Sequence, residues 1–364
     1  MHRETAGALA GLIEEAVKET EAGEVFIGDA SERHPLDAEG FRSVPPGGGV
    51  RCAFVDGGSQ ELIGAPNLSV QLHRVAAACW QGPSRVSLSA LKCEFYSLAE
   101  AVFDRGDLSF RTHLVPAVPG GAGDLPDPAD LLIRSRDPAI CEGTRRAAIA
   151  KSADVIRKFA EWRTATAMVE KLNAGDALVM DGSLQTAYTN EQRYCHRLSL
   201  LASERGVIVS GLSKSSALFT TTGLPLITAI ERMAIDHGIA GPWYYPVAAL
   251  HGKGQNVMLY AVHLHTAADR PFRFEVRFDP TEGLDEGKVE RVIAGLAANA
   301  GDAGFPGYPY GLIDADRTAR VRFDELAYYR DCLLAQLVDR NIHRSLSGCL
   351  RAGNAHDILN RMIG

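Results

Sequence analysis

Two aspartates in this chain close the same phrase. Cys52-Ala53-Phe54-Val55-Asp56-Gly57-Gly58-Ser59 and Ala177-Leu178-Val179-Met180-Asp181-Gly182-Ser183-Leu184 each run apolar, turn acidic and then loosen into glycine. A bounded apolar run reads as a buried strand, and Asp-Gly as the point where it stops. Each phrase is therefore expected to set a carboxylate at the mouth of a sheet. Two carboxylates brought together in that way attract a hard divalent cation. Asp-Gly is also a favoured turn dipeptide, but turn chemistry does not call for a matched apolar lead-in followed by serine.

The elements that would position these groups follow from periodicity. Leu68 to Trp80 and Val86 to Tyr96 read as long strands, giving the sheet an antiparallel opening. A long helix is expected from about Cys141 to Leu172, feeding the second aspartate phrase. Asn190 to Arg205 reads as a helix, Val207 to Ser210 as a buried strand and Pro225 to His237 as a further helix. Val257 to His265 and Phe272 to Phe278 alternate as strands. Helices near Gly287–Ala300, Leu312–Arg320 and Phe323–Arg344 close the chain. Strands that first meander and then alternate with helices imply an α/β fold, a mixed sheet flanked by helices with extra N- and C-terminal helices. That is the RNase H-like layout, in which sites gather at strand ends. The Gly/Pro-rich stretch Gly40 to Gly49 reads as a linker, so residues 1–49 form an N-terminal helical arm and linker. Val115 to Pro128 is a second Pro/Gly-rich loop.

Composition narrows the function classes. With 46% hydrophobic and 23% charged residues over 364 positions, the chain is ordinary globular material. No apolar run approaches the ~18 residues of a membrane span. The N-terminal patch is followed by Glu14 and Glu15 and reads as an amphipathic helix, not a signal peptide. Seven scattered cysteines without a C-x-x-C pair point to a reducing cytoplasm. A net charge of -7 argues against coating nucleic acid by bulk electrostatics. A local basic groove remains open, since Arg134, Arg136, Arg145, Arg146, Lys151, Arg157, Lys158 and Arg163 crowd one stretch. They could equally be a solvated face balanced by Asp137, Glu142, Asp154 and Glu161.

Further along, Val207-Ile208-Val209-Ser210-Gly211-Leu212-Ser213-Lys214-Ser215 places a lysine just past a buried strand. Gly307-Tyr308-Pro309-Tyr310-Gly311-Leu312-Ile313-Asp314-Ala315-Asp316 comes later. With the two aspartate phrases, this ordered set resembles the NurA nuclease family over roughly Arg51 to Arg320. The resemblance implies an RNase H-like nuclease domain over residues 50–320, with 321–364 a C-terminal helical extension packed on it. It implies that Asp56 and Asp181 bind metal, with Lys214 the strand-end lysine and Tyr308 the family tyrosine. Glu161 is the preferred helix glutamate, and Glu170 the alternative. The chain departs from the family at Asp316, where the pattern expects histidine; a carboxylate there can still ligate a cation, but it is no neutral imidazole.

The chemistry such residues permit is phosphodiester hydrolysis, with two ions about 4 Å apart activating water and steadying the leaving oxygen. Oxygen ligands favour Mn2+ or Mg2+ over zinc. Gly57 and Gly58 would let a phosphate approach the backbone, with Ser59 beside them. Lys214 would neutralise phosphate charge, and Tyr308 would stack on a terminal base, hydrogen-bond a phosphate or sit as a core aromatic. The resemblance further implies DNA as substrate, 5'-3' exonuclease or single-strand endonuclease action, a homodimer, and a HerA-type hexameric translocase as partner in DNA end processing or phage defence. The chain carries no phosphate-loop signature of its own: the lysine after Gly206 is out of register, and Gly252-Lys253-Gly254 lacks a following Ser or Thr. His263 and His265 share a strand face but have no third partner. Two other readings are an actin-like ATPase or kinase, whose loops use strand-Asp-x-Gly-Ser/Thr phrases where both aspartates here are followed directly by Gly, and a non-catalytic partner subunit of a translocase.

Overall fold

The structure, a computed structural model, describes residues 1–17, 24–26, 33–87, 91–118, 125–252, 255–340, 342, 346 and 349. Helix α1 (Arg3–Val17) is followed by a two-strand pair, β1 (Glu24–Phe26) with β2 (Arg33–Pro35), and by the short β3 (Arg42–Ser43). Next come β4 (Arg51–Ala65), β5 (Leu68–Gln81), β6 (Ser84–Arg85), β7 (Leu91–Asp104), β8 (Asp107–Pro116) and β9 (Ile133–Arg134). Helix α2 (Ser152–Val169), β10 (Ala177–Asp181), α3 (Glu191–Arg205), β11 (Ile208–Ser213) and α4 (Leu226–Asp236) then alternate. β12 (Trp243–Gly252), β13 (Gln255–His263) and β14 (Phe272–Arg277) meander, before α5 (Glu286–Ala298), α6 (Tyr310–Ala319) and α7 (Phe323–Asp339).

One sheet of twelve strands runs β3-β12-β13-β14-β11-β10-β4-β5-β7-β8-β9, with β6 paired to β5. Its centre is parallel, β10 lying between β4 and β11, and both wings are antiparallel. Because side chains alternate along a strand, the two faces can be read from register. Cys52 and Phe54 lie beside Ala177 and Val179 and point into the core under α5 and α6. Ala53, Val55, Leu178 and Met180 point the other way, under α2, α3 and α4. Continuing that alternation, Asp56 and Asp181 both face the α6 side. α7 packs over the far end of β4 and β5, where Leu62, Leu72 and Val321 meet Leu326, Leu333 and Leu337.

The mixed, helix-flanked sheet expected from the sequence is present, with several differences in detail. The first Asp-Gly does not end its strand: β4 continues through Gly57 and Gly58 into a hairpin with β5, and Gly57 and Gly58 pair with Val75 and Arg74. The long helix begins at Ser152 instead of Cys141; Gly143 takes a left-handed φ of 64° and the intervening chain makes turns. β7 reaches Asp104 and joins β8 through Arg105-Gly106, both at positive φ, a tight hairpin turn. β12 was hidden because Pro246 interrupts an aromatic run; the sheet absorbs it at a register shift between Pro246 and Ala248. Lys253 of the Gly-Lys-Gly stretch and most of the chain past residue 340 lie outside the described residues.

Helix α6 sits unusually close to the sheet, because both surfaces offer glycine where they touch. A Cβ built on Gly311 would fall inside the Phe54 ring, and one on Gly58 would lie 2.5 Å from the Ala319 carbonyl oxygen. We expect Gly311→Ala to cost about 2–3 kcal/mol as an overpacked core position, read from the urea midpoint. Gly49→Ala, with open space around its Cβ, should leave that midpoint nearly unchanged.

Candidate metal centre

Three elements, β4, β10 and α2, bring carboxylates together from the two faces of the sheet. Asp56 and Asp181 stand on neighbouring parallel strands just past the last paired residues, Val55 and Met180. Glu161 comes from α2 on the other face and is almost fully buried. It reaches the site over Gly57: a Cβ there would lie 2.7 Å from Glu161 Oε1 and 3.0 Å from its Cγ. The missing side chain is the opening through which the helix carboxylate approaches the strand.

The crowding has an electrostatic signature. Burial, then the charges of Asp181 and Glu161, push the Asp56 carboxyl up to about 7, although the Gly57 N–H and Lys214 pull it down. Each carboxylate leans on an internal donor. Gly57 N–H donates to Asp56 Oδ1 at 2.7 Å, the Lys214 ammonium to Asp181 Oδ2 at 2.7 Å, and Lys158 to Glu161 Oε2 at 3.2 Å. Among the described residues, no three His, Cys, Asp or Glu side chains already stand in chelating geometry. The donor set itself still suits a hard cation, since it is oxygen-only and partly buried. Asp56, Asp181 and Glu161 are the residues that could hold one.

Lys214 and Tyr308 complete the surround. Burial works to lower the Lys214 ammonium, but its bond to Asp181 and the charges of Asp181, Asp56 and Asp316 outweigh it and raise it, so it stays charged. It lies 5.3 Å from the Tyr308 ring centroid, a cation–π contact. Tyr308 is 2% exposed, its ring against Phe272 and Phe305 and its hydroxyl donating to Asp181 Oδ1 at 3.4 Å. Its ring is therefore closed to base stacking, and only the hydroxyl faces the site. Burial and the neighbouring carboxylates hold that hydroxyl protonated, well above the ordinary tyrosine range.

The scaffold around these groups is tightly tied. Glu275 on β14, fully buried, accepts from Ser183 Oγ and from the Leu184 N–H at 2.9 Å, so the loop after Asp181 is pinned from below. Asn299 joins α5 to α6, accepting from Gly311 N–H at 2.9 Å and donating to the Gly82 carbonyl at 2.6 Å. Arg74, opposite Gly58 on β5, donates to the Arg320 carbonyl at 2.8 Å and pairs with Glu94 and Glu325.

The remaining sequence candidates fall out as follows. Glu170 is exposed at the C-terminal end of α2, nine residues from Glu161 and so roughly 13 Å along the helix. Asp316 is close enough to act electrostatically on Lys214 and Tyr308, but its carboxylate pairs with Arg320 at 2.9 Å in its own helix. Gly57 and Gly58 do not open a phosphate loop; helices α2 and α6 fill the space above them. Ser59 is a partly buried strand residue opposite His73, on the α2 side. His263 and His265 do not converge: His263 contacts the Ala268 carbonyl and stacks on Trp243, while His265 accepts from Ala267 N–H. Much of the basic stretch is paired, Arg146 with Asp107, Lys151 with Glu142, and Arg157 with Asp154.

Two residues at the centre were read from sequence only as part of the basic stretch, not as partners of Glu161. Lys158 and Arg157 precede Glu161 by one helical turn, at i−3 and i−4, and both approach its carboxylate. Arg157 also donates to the Gly57 carbonyl at 3.4 Å. Their spacing from Glu161 was the available signal.

The NurA domain matches residues 51–321 of this chain. Among solved structures, it is similar to the NurA nuclease from Sulfolobus solfataricus at 13% identity and a TM-score of 0.54, covering 93% of this chain and 98% of that one. A second NurA crystal structure is similar at 9% identity and a TM-score of 0.49, over 84% of this chain and 92% of its own. A NurA structure bound to dAMP and manganese is similar at 8% identity and a TM-score of 0.46, over 82% and 90%. No curated protein matches. The sulfolobal likeness is one of fold, and it agrees with the RNase H-like mixed sheet described above. With the match spanning most of its length, the chain belongs to the NurA domain family.

Proposed function

We propose that this chain is a metal-dependent DNA nuclease that hydrolyses phosphodiester bonds at the Asp56–Asp181–Glu161 centre. The observation that carries the reading is that Asp56 and Asp181 stand on one face of adjacent strands while Glu161 reaches them over Gly57 from α2, burial and then the charges of Asp181 and Glu161 pushing Asp56 up to about 7. Such crowding is unfavourable for folding alone and is relieved by a divalent cation. When bound, Mn2+ or Mg2+ supplies Lewis acidity and lowers the pKa of a coordinated water.

The chain's own residues then divide the remaining work. Asp56 and Asp181 present oxygens from a rigid sheet, and Tyr308, by donating to Asp181, fixes the orientation of that carboxylate. Glu161, steered by Lys158 and Arg157, faces them through the Gly57 opening. Lys214, 46% exposed, is the cation placed to neutralise a phosphate. Asp316 is the residue placed to add a further carboxylate should its pairing with Arg320 open.

The same family reading extends to 5'-3' exonuclease or single-strand endonuclease action on DNA, and to a homodimer that works in the cytoplasm with a HerA-type hexameric translocase. That setting is DNA end processing or phage defence. Support for a partner surface comes from apolar side chains left in solvent on the terminal helices: Leu12 and Ile13 on α1, Phe323 and Tyr328 on α7. Among the described residues no helix is long and apolar enough to cross a membrane.

Three outcomes test the centre. Asp56→Asn and Asp181→Asn should each lower cleavage of labelled linear DNA in Mn2+ by about 100-fold or more while leaving the circular dichroism spectrum intact. Cleavage within a few-fold of the parent by either variant would remove the metal reading. Gly57→Ala keeps every ligand but places a methyl against Glu161. It should weaken Mn2+ binding by roughly 10-fold, about 1.4 kcal/mol, with a loss of stability smaller than that of Gly311→Ala.

The third concerns pH. Because the folded-state value of Asp56 is raised above its ordinary 3.8 to about 7, its ionisation opposes folding. The contribution is fully present below about pH 4 and is lost as pH rises to about 7. In EDTA, the stability of the parent relative to Asp56→Asn should therefore fall across that window, by on the order of 1–3 kcal/mol. Mn2+ affinity should rise by up to tenfold per pH unit over the upper part of the window and flatten above pH 7, since the ligand must shed its proton. Parallel stability profiles for the two proteins would contradict the assignment.

A further inference from the structure

Asp181 has two oxygens, and both are engaged by groups of this chain. Tyr308 reaches Oδ1 at 3.4 Å, and the Lys214 ammonium reaches Oδ2 at 2.7 Å. The two partners differ in freedom. Tyr308 is locked between Phe272 and Phe305 in the core, whereas Lys214 is nearly half exposed and follows the last residue of β11. A lysine ammonium on a flexible stem is a compact point charge that can be exchanged without disturbing the backbone. Its oxygen partner is one that a divalent ion shared with Asp56 would take.

We infer that Lys214 is the resident counter-ion of the centre, competing with divalent metal for Asp181, and that metal entry displaces its ammonium outward to the phosphate of bound DNA. The inference rests on the metal-dependent reading above and adds a coupling to it. Without a counter-ion, the carboxylates of Asp56 and Asp181 on the sheet and Glu161 on α2 would repel one another. With Lys214 in place, one positive charge offsets part of that excess through Asp181. A doubly charged ion does so more completely and leaves the ammonium, nearly half exposed, without its partner. Ion binding and phosphate binding are then linked, because the same side chain serves first one and then the other.

Isothermal titration of Mn2+ into the full chain at pH 7.5 tests this without reference to cleavage. Lys214→Met should bind Mn2+ about 3- to 10-fold more tightly than the parent, as expected for removal of a partly exposed competing ion pair. Lys151→Met removes an equal charge at the start of α2, where Lys151 faces Glu142, and should stay within about twofold, setting the through-space baseline. In the Asp181→Asn background, the gain from Lys214→Met should vanish. The thermal midpoint of Lys214→Met should fall in EDTA and recover to the parental value in saturating Mn2+, whereas a merely structural lysine would lower it in both. Lys214→Gln should repeat the direction of each change. Equal or weaker Mn2+ binding by Lys214→Met, with the parent binding normally, would overturn the counter-ion role and leave the metal centre standing. A parent that does not bind Mn2+ at all would overturn both.

Discussion

Repulsion among Asp56, Asp181 and Glu161 is the interaction around which this structure is arranged. Burial first, and then the like charges of Asp181 and Glu161, drive the Asp56 carboxyl toward its neutral form. A fold selected for stability alone would separate these groups or surround each with donors. The chain does the latter elsewhere. Glu191, more deeply buried, accepts from the Trp162 indole and from the N–H groups of Ala187 and Tyr188. Glu275 is tied to Arg273, Ser183 and Leu184. Those carboxylates are structural fasteners with their lone pairs used. In the Asp56 cluster, Lys214 pairs with Asp181 and Lys158 and Arg157 with Glu161, while the Asp56 carboxylate rests on the Gly57 N–H and is pushed toward its neutral form.

Holding that cluster together places demands on backbone packing. Helix α2 has to bring Glu161 through the plane of β4, and α6 has to lie low enough on the other face to close the site. Both are met by removing side chains where backbone must approach: Gly57 toward α2, Gly58 and Gly311 toward α6. Glycine in a strand interior is normally weakening. Here the loss is offset by long hairpin pairing, in which β4 and β5 stay in register on either side of the glycines. Arg74 and Asn299 then hold α6 at its two ends, so that Tyr308, immediately before the helix, is fixed against Asp181. The site and its supports are one packing problem.

This explains which parts could be read from the sequence. The parallel centre announced itself through two apolar runs ending in aspartate, and those runs are adjacent strands with Asp56 and Asp181 on one face. Long amphipathic segments gave α3, α4 and α5 to within a residue or two of their ends. What escaped were features decided by contacts between distant segments. The Asp-Gly phrase at Asp56 reads as a strand end because nothing local reveals that α2 and α6 will cover the two glycines. Tyr308 reads equally as a stacking platform or a core residue, since its burial depends on Phe272 and Phe305 from another part of the chain. β12 escaped because Pro246 masked a strand that only a bulge makes possible. The choice between Glu161 and Glu170 is geometric, and it turns on which helical turn passes over Gly57.

An acidic protein that acts on an acidic polymer needs its positive charge placed locally. The net charge is -7, and much of the basic stretch from Arg134 to Arg163 is already engaged by carboxylates of its own surface. Long-range attraction of DNA is therefore weak in this chain, and non-specific capture by counterion release has little to work with. Under the proposed reading, the divalent ion and Lys214 at the centre supply that local positive charge. On that logic Asp316 has a different standing from Asp181. Its cation partner, Arg320, is on the same exposed helix one turn away, a pairing of small strength. Asp181 instead meets a cation from a separate strand under partial burial, where screening by water is weaker. The carboxylates proposed to hold the metal are thus partly buried ones, Asp56 and Asp181 on the sheet and Glu161 on the inner side of α2, and not one on an exposed helix surface.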